Sequence, residues 1–289
     1  MKIEIAGHSG CKIEIVNEKK GLFIIKSTSD PDYAPRLKNQ ALKQQKFQSA
    51  KNTKIKAPRI LDIYSDNACC KIKMEYIYSL HFMAFIENYG FEQIDNFMES
   101  MIDFVTSEIA SSDPQEMDSA VLTEKYNDVK SKILANRNLA QDDIIKGWVP
   151  VLDKIFRRDF SFQIPIGVCH GDLTLSNILF SGNGYYLIDF LDTFIETPLL
   201  DIVKLRQDTA FNWSGLMYSG SYDQVRLDIV LKLMDKKIDE AFAGYQWYRD
   251  AFGVFQLLNF LRILQYAREP RIIDFLKNTI TLLLENYES

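Results

Sequence analysis

The stretch from Cys169 to Phe190 constrains this chain more than any other. It runs Cys169-His170-Gly171-Asp172-Leu173-Thr174-Leu175-Ser176-Asn177, and then through two short apolar segments, Ile178-Leu179-Phe180 and Tyr185-Tyr186-Leu187-Ile188, to Asp189-Phe190. Between the segments, Ser181-Gly182-Asn183-Gly184 offers Gly and Asn residues that suit the positive φ angles of a tight hairpin turn. A hairpin returns the chain to its starting point, so the sequence predicts that Asp189 arrives beside Asn177.

Three side chains then fall into an order that matches one chemistry. Phosphoryl transfer needs a carboxylate to accept the proton of a hydroxyl, and an amide oxygen and a second carboxylate to hold magnesium. The spacing H-x-D-x-x-x-x-N followed by a D-F pair provides them: Asp172 is the expected catalytic residue, and Asn177 and Asp189 are the expected metal ligands. Two oxygen ligands suit magnesium, which keeps water and phosphate oxygens in its other positions. His170 is read as a brace for the loop. A nucleophilic Cys169 is disfavoured because adjacent residues on an extended segment point to opposite faces.

His170-Gly171-Asp172 with Asn177, and Ile188-Asp189-Phe190, resemble the signature of the aminoglycoside phosphotransferase and choline kinase superfamily. Gly171, where protein kinases carry Arg, is similar to the small-molecule branch, and Pro198-Leu199-Leu200-Asp201-Ile202 resembles the segment whose Asp anchors the large lobe. Leu187 to Gln207 is similar to kinases associated with bacterial surface-glycan biosynthesis. The resemblance implies an α+β, two-lobed protein-kinase-like fold, with an antiparallel-sheet lobe over residues 1–76 and a mainly helical lobe over 77–289. It also implies ATP and Mg2+ as cofactors. Lys26, at the end of Leu22-Phe23-Ile24-Ile25, is placed like the lysine that reaches the phosphates. Gly7, Ser9 and Gly10 form a turn whose amides can approach phosphate, and Glu75 and Ile77 lie at the hinge expected to meet adenine.

The rest of the chain agrees with that outline. Lys2 to Ala6, Lys12 to Val16, Leu22 to Lys26, Arg59 to Tyr64 and Cys69 to Tyr76 read as strands, with a helix from Pro35 to Lys51. Helical periodicity takes over at 82–89, 91–111, 114–136 and 142–158, with Pro114 suited to a first turn, and resumes at 199–208, 223–242, 247–268 and 271–286. A net charge of -5 and a pI near 5.4 argue against a nucleic-acid binder. No apolar run reaches the length of a membrane span, and the amino terminus lacks a signal-type apolar region, so a cytoplasmic protein is expected.

Two features stand apart. Arg36 to Lys56 holds no acidic residue, so the glutamate that usually pairs with the phosphate lysine is missing, leaving Gln44, Gln45 or Gln48 as neutral substitutes. The bases there, Lys43 and Lys46 among them, read as a solvated helix face, or else as a docking face for an anionic partner. Pro198 follows Phe190 by only eight positions, too short a span for a peptide platform, so a small-molecule alcohol is the expected substrate. Asp208, Trp213, Asp228, Trp247, Tyr248 and Asp250 are possible walls of its pocket. The competing readings are a pseudokinase serving as a nucleotide-binding scaffold or sensor, and a metal-dependent hydrolase using His170 and Asp172.

Overall fold

The computed structural model describes residues 2–5, 11–19, 21–48, 54–66, 69–158 and 161–288. The amino-terminal part is an antiparallel sheet in the order β1-β2-β3-β6-β5, built from β1 (Lys2–Ile5), β2 (Lys12–Glu18), β3 (Gly21–Thr28), β5 (Ile60–Ser65) and β6 (Cys70–Glu75). Helix α1 (Ala34–Gln48) covers one face. Its Ala34, Leu37 and Ala41, at three- and four-residue spacing, bury against Ile60, Cys70 and Ile72 in a small core of their own. The expected Gly7, Ser9 and Gly10 turn lies outside the described residues.

The remainder is helical, with one large core. After the connector 76–81 come α2 (Phe82–Asn88) and α3 (Phe91–Ala110). In α3, Ile94, Phe97, Met98, Met101, Phe104 and Val105 face inward at helical spacing. Helices α4 (Ser119–Ala135) and α5 (Asp143–Phe156) follow, and α5 starts where Asp142 accepts the amides of Ile144 and Ile145. The last part holds α6 (Pro198–Thr209), α7 (Trp213–Leu216), α8 (Gln224–Phe242), α9 (Gln246–Leu264) and α10 (Pro270–Glu288). Thr197 caps α6 and Pro198 occupies its first turn, where a missing N–H costs nothing. Most of α6 is buried, so it forms the centre of this part.

The expected hairpin is present as β9 (Ile178–Ser181) and β10 (Gly184–Leu187), paired from Ser181 with Gly184 to Ile178 with Leu187. Gly184 has a φ of 134°, and a Cβ there would lie 2.6 Å from the Lys54 carbonyl, because β4 (Ile55–Lys56) pairs parallel to β10. The Phe180 ring stacks on Phe85 at 4.1 Å and meets Phe97 at 5.0 Å, which fixes the hairpin on α2 and α3.

Two sequence expectations are corrected. Residues 113–118 are not helical: they form β7 (Asp113–Asp118), paired antiparallel with β8 (Ser161–Ile166), and α4 begins at Ser119 behind an Asp118 cap. Pro114 stands opposite Pro165 in that ribbon rather than in a helix turn. Pairing across more than forty residues leaves no local periodicity to read, and a two-stranded ribbon tolerates prolines that a central strand would not. The helix expected at 247–268 ends at Leu264.

Candidate active site

The loop 169–177 is held mainly by bonds to its backbone. His170 is buried, its Nε2 lies 2.9 Å from the Ile188 carbonyl, and its Nδ1 accepts the Asp172 amide at 3.2 Å. A ring that donates at Nε2 and accepts at Nδ1 is neutral, and burial lowers its pKa to about 4, so it braces the loop as the sequence suggested. Asp201, on the first turn of α6, accepts the amides of His170 at 2.6 Å and Gly171 at 2.7 Å. Glu108 of α3 packs against Asp201; burial pushes both carboxyls up, with Asp201 adding to the push on Glu108 and Glu196 adding to that on Asp201. Asp208, one of the residues expected to line the acceptor pocket, instead accepts the amides of Leu175 and Ser214 and is buried. It fastens the far end of the loop to α7.

Gly171 has a physical reason to be glycine. Its φ is 86°, and a Cβ would sit 2.5 Å from the Leu191 carbonyl. That close approach is sealed by the Leu191 amide donating to the His170 carbonyl at 3.0 Å. The loop therefore lies directly against the segment that carries Asp189.

Asp172 keeps 31% of its side-chain surface open. Lys204, reaching up from α6, places its Nζ 3.0 Å from Oδ1, while the Asn177 Nδ2 donates to Oδ2 at 3.0 Å and to the Asp172 carbonyl at 2.9 Å. Burial alone would raise the carboxyl, but Lys204, His170 and the Asn177 amide together hold it below its ordinary value. Two oxygen acceptors require the amide nitrogen of Asn177 on that side, so its Oδ1 points the other way. The Ile188 amide donates to the Asn177 carbonyl at 3.0 Å, which brings the residue before Asp189 onto Asn177 as the hairpin predicted.

Asp189 has a φ of 62°, a left-handed conformation unusual outside glycine, with 44% of its side chain exposed. The buried Lys26 of β3 meets its Oδ1 at 2.8 Å. Burial would lower the Lys26 ammonium, yet the Asp189 charge overrides it and holds Lys26 above its ordinary value. Among the described residues no group of three His, Cys, Asp or Glu is arranged to hold a metal. Magnesium does not require one, since one or two protein oxygens plus phosphate and water suffice. The free Asn177 Oδ1 and the exposed Asp189 carboxylate fit that pattern.

The missing glutamate of α1 has an unexpected replacement. Gln44 donates to the Pro58 carbonyl at 2.6 Å, and the carboxylate that meets Lys26 is Asp189. Lys43 is neither solvated nor free for docking: its Nζ meets Glu196 at 2.6 Å and the Leu191 carbonyl at 2.8 Å. Helix α1 is thus tied by a cation to the segment after Asp189, with the charges reversed from the expected glutamate-to-lysine arrangement. Phe47, one turn later, packs against Phe104 at 5.6 Å and Phe190 at 5.1 Å. Cys169 lies beside Glu196, and burial pushes its thiol well up, so it is no nucleophile.

Glu75 accepts the Arg59 amide through its side chain at 2.9 Å, and Ile77 lies in the connector after β6. Beyond Asp208, the other expected pocket walls do not converge on Asp172. Tyr248 bonds Arg206 and Asp239, Trp247 packs on Tyr245, Trp213 packs on Phe275, and Asp228 and Asp250 accept from glutamines on their own helices. A cavity of about 680 Å³ near Lys154, Phe162 and Tyr287 contains none of the residues of this site. Reading by motif passed over Lys204 and Glu108 and took Lys43 for a solvated or docking base, because each lies on a distant helix and has no fixed spacing from the loop.

A family model described as the phosphotransferase enzyme family matches residues 15–228. Comparison with curated protein sequences finds no match. Among solved structures, a choline/ethanolamine kinase family protein from Mesorhizobium loti aligns over 100% of this chain and 89% of its own, at 14% identity and a TM-score of 0.57. A thermostable mutant of an aminoglycoside phosphotransferase in ternary complex with ADP and hygromycin B aligns over 100% and 95%, at 10% identity and 0.59. Spectinomycin phosphotransferase in complex with ADP and spectinomycin aligns over 99% and 93%, at 9% identity and 0.53. The α+β arrangement of a sheet lobe and a helical part is therefore the fold of these small-molecule kinases. With that fold, and a family match over most of its length, the chain belongs to the phosphotransferase enzyme family.

Proposed function

We propose that this protein is a kinase that uses ATP and Mg2+ to phosphorylate a hydroxyl of a small molecule. The observation that carries the reading is the state of Asp172: partly open, kept ionised by Lys204, and aligned by the amide of Asn177. A carboxylate so held accepts the proton of an acceptor hydroxyl while the acceptor oxygen bonds to the γ-phosphorus and the bond from phosphorus to the ADP oxygen breaks. Bound MgATP would supply the phosphoryl group and neutralise its charge. The Asn177 Oδ1 and the Asp189 carboxylate are the groups that would hold the metal, and Lys26 would share its charge between Asp189 and a phosphate. Lobes at 1–76 and 77–289, meeting at Glu75 to Ile77, would place the nucleotide between them.

The pseudokinase alternative draws on the missing glutamate and on Leu191 standing where D-F-G has Gly; Lys26 nonetheless has a carboxylate partner in Asp189, and Lys43 with Glu196 ties α1 to the segment after it. The test is phosphorus NMR on reactions of MgATP with sugars, amino sugars, choline and aminoglycosides. The expected result is a phosphoester on one acceptor class, lost on EDTA addition and in Asp172→Asn. MgATP binding without transfer to any hydroxyl compound would favour the scaffold reading.

A further inference from the structure

The acceptor side of Asp172 is rich in cations. Lys204 already sits on Asp172, and its Nζ also donates to the Gln207 Oε1 at 3.3 Å. The same oxygen receives Asn259 of α9 at 2.7 Å, so α9 is bonded alongside α6 just below the catalytic carboxylate. Three residues further along α9 stands Arg262, half-buried, with its guanidinium over the Phe194 ring at 5.4 Å. Phe194 stacks in turn on Phe255, one face of the same helix. Arg262 is thus held in a fixed place by an aromatic face, while among the described residues no hydrogen bond or ion pair occupies its five donors.

The charges acting on Arg262 are the attraction of Asp172 and the repulsion of Arg36 on α1, with the Tyr266 hydroxyl nearby. Burial pulls the guanidinium below its ordinary value, and Asp172 offsets only part of this. The other carboxylates of the cleft have partners: Asp189 is paired with Lys26 and Glu196 with Lys43. Asp192, in the same segment as Glu196, is exposed. Desolvated, unpaired guanidinium is costly unless an anion completes it, and its planar donors match a carboxylate or phosphate in two-point contact.

We propose that Arg262, backed by Lys204, forms the acceptor end of the site and selects a hydroxylated small molecule carrying a carboxylate or phosphate group. The inference rests on the kinase reading above, and deepens it by setting the charge of the acceptor. An acceptor anchored at Arg262 would present its hydroxyl to Asp172.

The test uses the whole protein with MgADP bound and four probes of one scaffold: D-glucose, D-glucuronate, D-glucose 6-phosphate and D-glucosamine. Calorimetry is expected to rank one or both anions about tenfold or more above glucose and glucosamine. The stronger of glucuronate and glucose 6-phosphate identifies the anion. Arg262→Met keeps the packing on Phe194 and should erase the preference, while Arg262→Lys should retain most of it. In turnover with MgATP, Arg262→Met should raise the acceptor KM more than it lowers kcat. Glucosamine binding best, four probes binding equally or not at all, a preference unmoved in Arg262→Met, or a rise in KM for ATP alone would each overturn the proposal. Asp172-dependent transfer without an anion preference sinks this inference and leaves the kinase reading intact. Anion binding at Arg262 without transfer to any acceptor does the reverse.

Discussion

Lys204 decides how firmly Asp172 keeps its charge. Remove it by Lys204→Met, and the upward push of burial on Asp172 loses its largest opposing influence. The acid limb of kcat/KM should then move toward neutral by about one pH unit or more, with a rate loss of about 10- to 100-fold. A pH profile that keeps its acid limb would show that Lys204 does not tune this carboxylate. Gly171 offers a second test at this scale. Gly171→Ala forces a Cβ toward the Leu191 carbonyl at a positive φ, so it should cost about 1–3 kcal/mol in urea denaturation and displace the Asp172 loop. Asp172 is picked out by its spacing within the motif, whereas the need for Gly171 comes from Leu191, whose approach no local pattern encodes.

At the scale of elements, Lys26 finds its acidic partner in Asp189 rather than on α1, and α1 is tied instead by Lys43 to the segment 191–196. Lys43→Met should release Glu196 and the Leu191 carbonyl, and deuterium exchange should rise across 189–197, with stability lowered by about 1–3 kcal/mol. Lys38→Met, on the exposed side of the same helix, is the control expected to change neither. Equal exchange in both variants would return Lys43 to the role of a surface base. The elements themselves were legible in uneven measure. Hairpin β9–β10 was readable because its turn residues and its two apolar runs are contiguous. Strand β7 was not: Asp113-Pro114-Gln115-Glu116 has little strand character, and only the distant partner β8 makes it a strand. The same logic covers the candidate site: the spacing of Asn177 and Asp189 can be read along the chain, whereas Lys204 and Glu108 come to Asp172 and Asp201 only through tertiary packing.

Across the whole molecule, buried titratable groups make stability depend on pH in two opposed ways. His170 has its pKa lowered from 6.5 to about 4, so its contribution is complete above 6.5 and is lost as pH falls toward 4. Glu108 is raised well above 4.5 by burial and by Asp201, so its contribution is complete below 4.5 and declines as pH rises through its folded value. Glu108→Gln should therefore flatten the decline on the alkaline side, bringing the urea midpoint at about pH 7.5 closer to that at about pH 5.5. An unchanged gap between the two midpoints would mean that Glu108 is ionised in the fold.

If Asp172 takes the proton of the acceptor hydroxyl in a site whose nucleotide contacts are separate from it, Asp172→Asn should lose transfer and keep nucleotide. Phosphoryl transfer from MgATP to the best acceptor is compared for wild type and Asp172→Asn, with MgATP affinity measured on both proteins. The expected result is a fall in kcat of about a thousandfold or more with a nucleotide Kd changed by less than about twofold. Transfer by Asp172→Asn within about tenfold of wild type would contradict it.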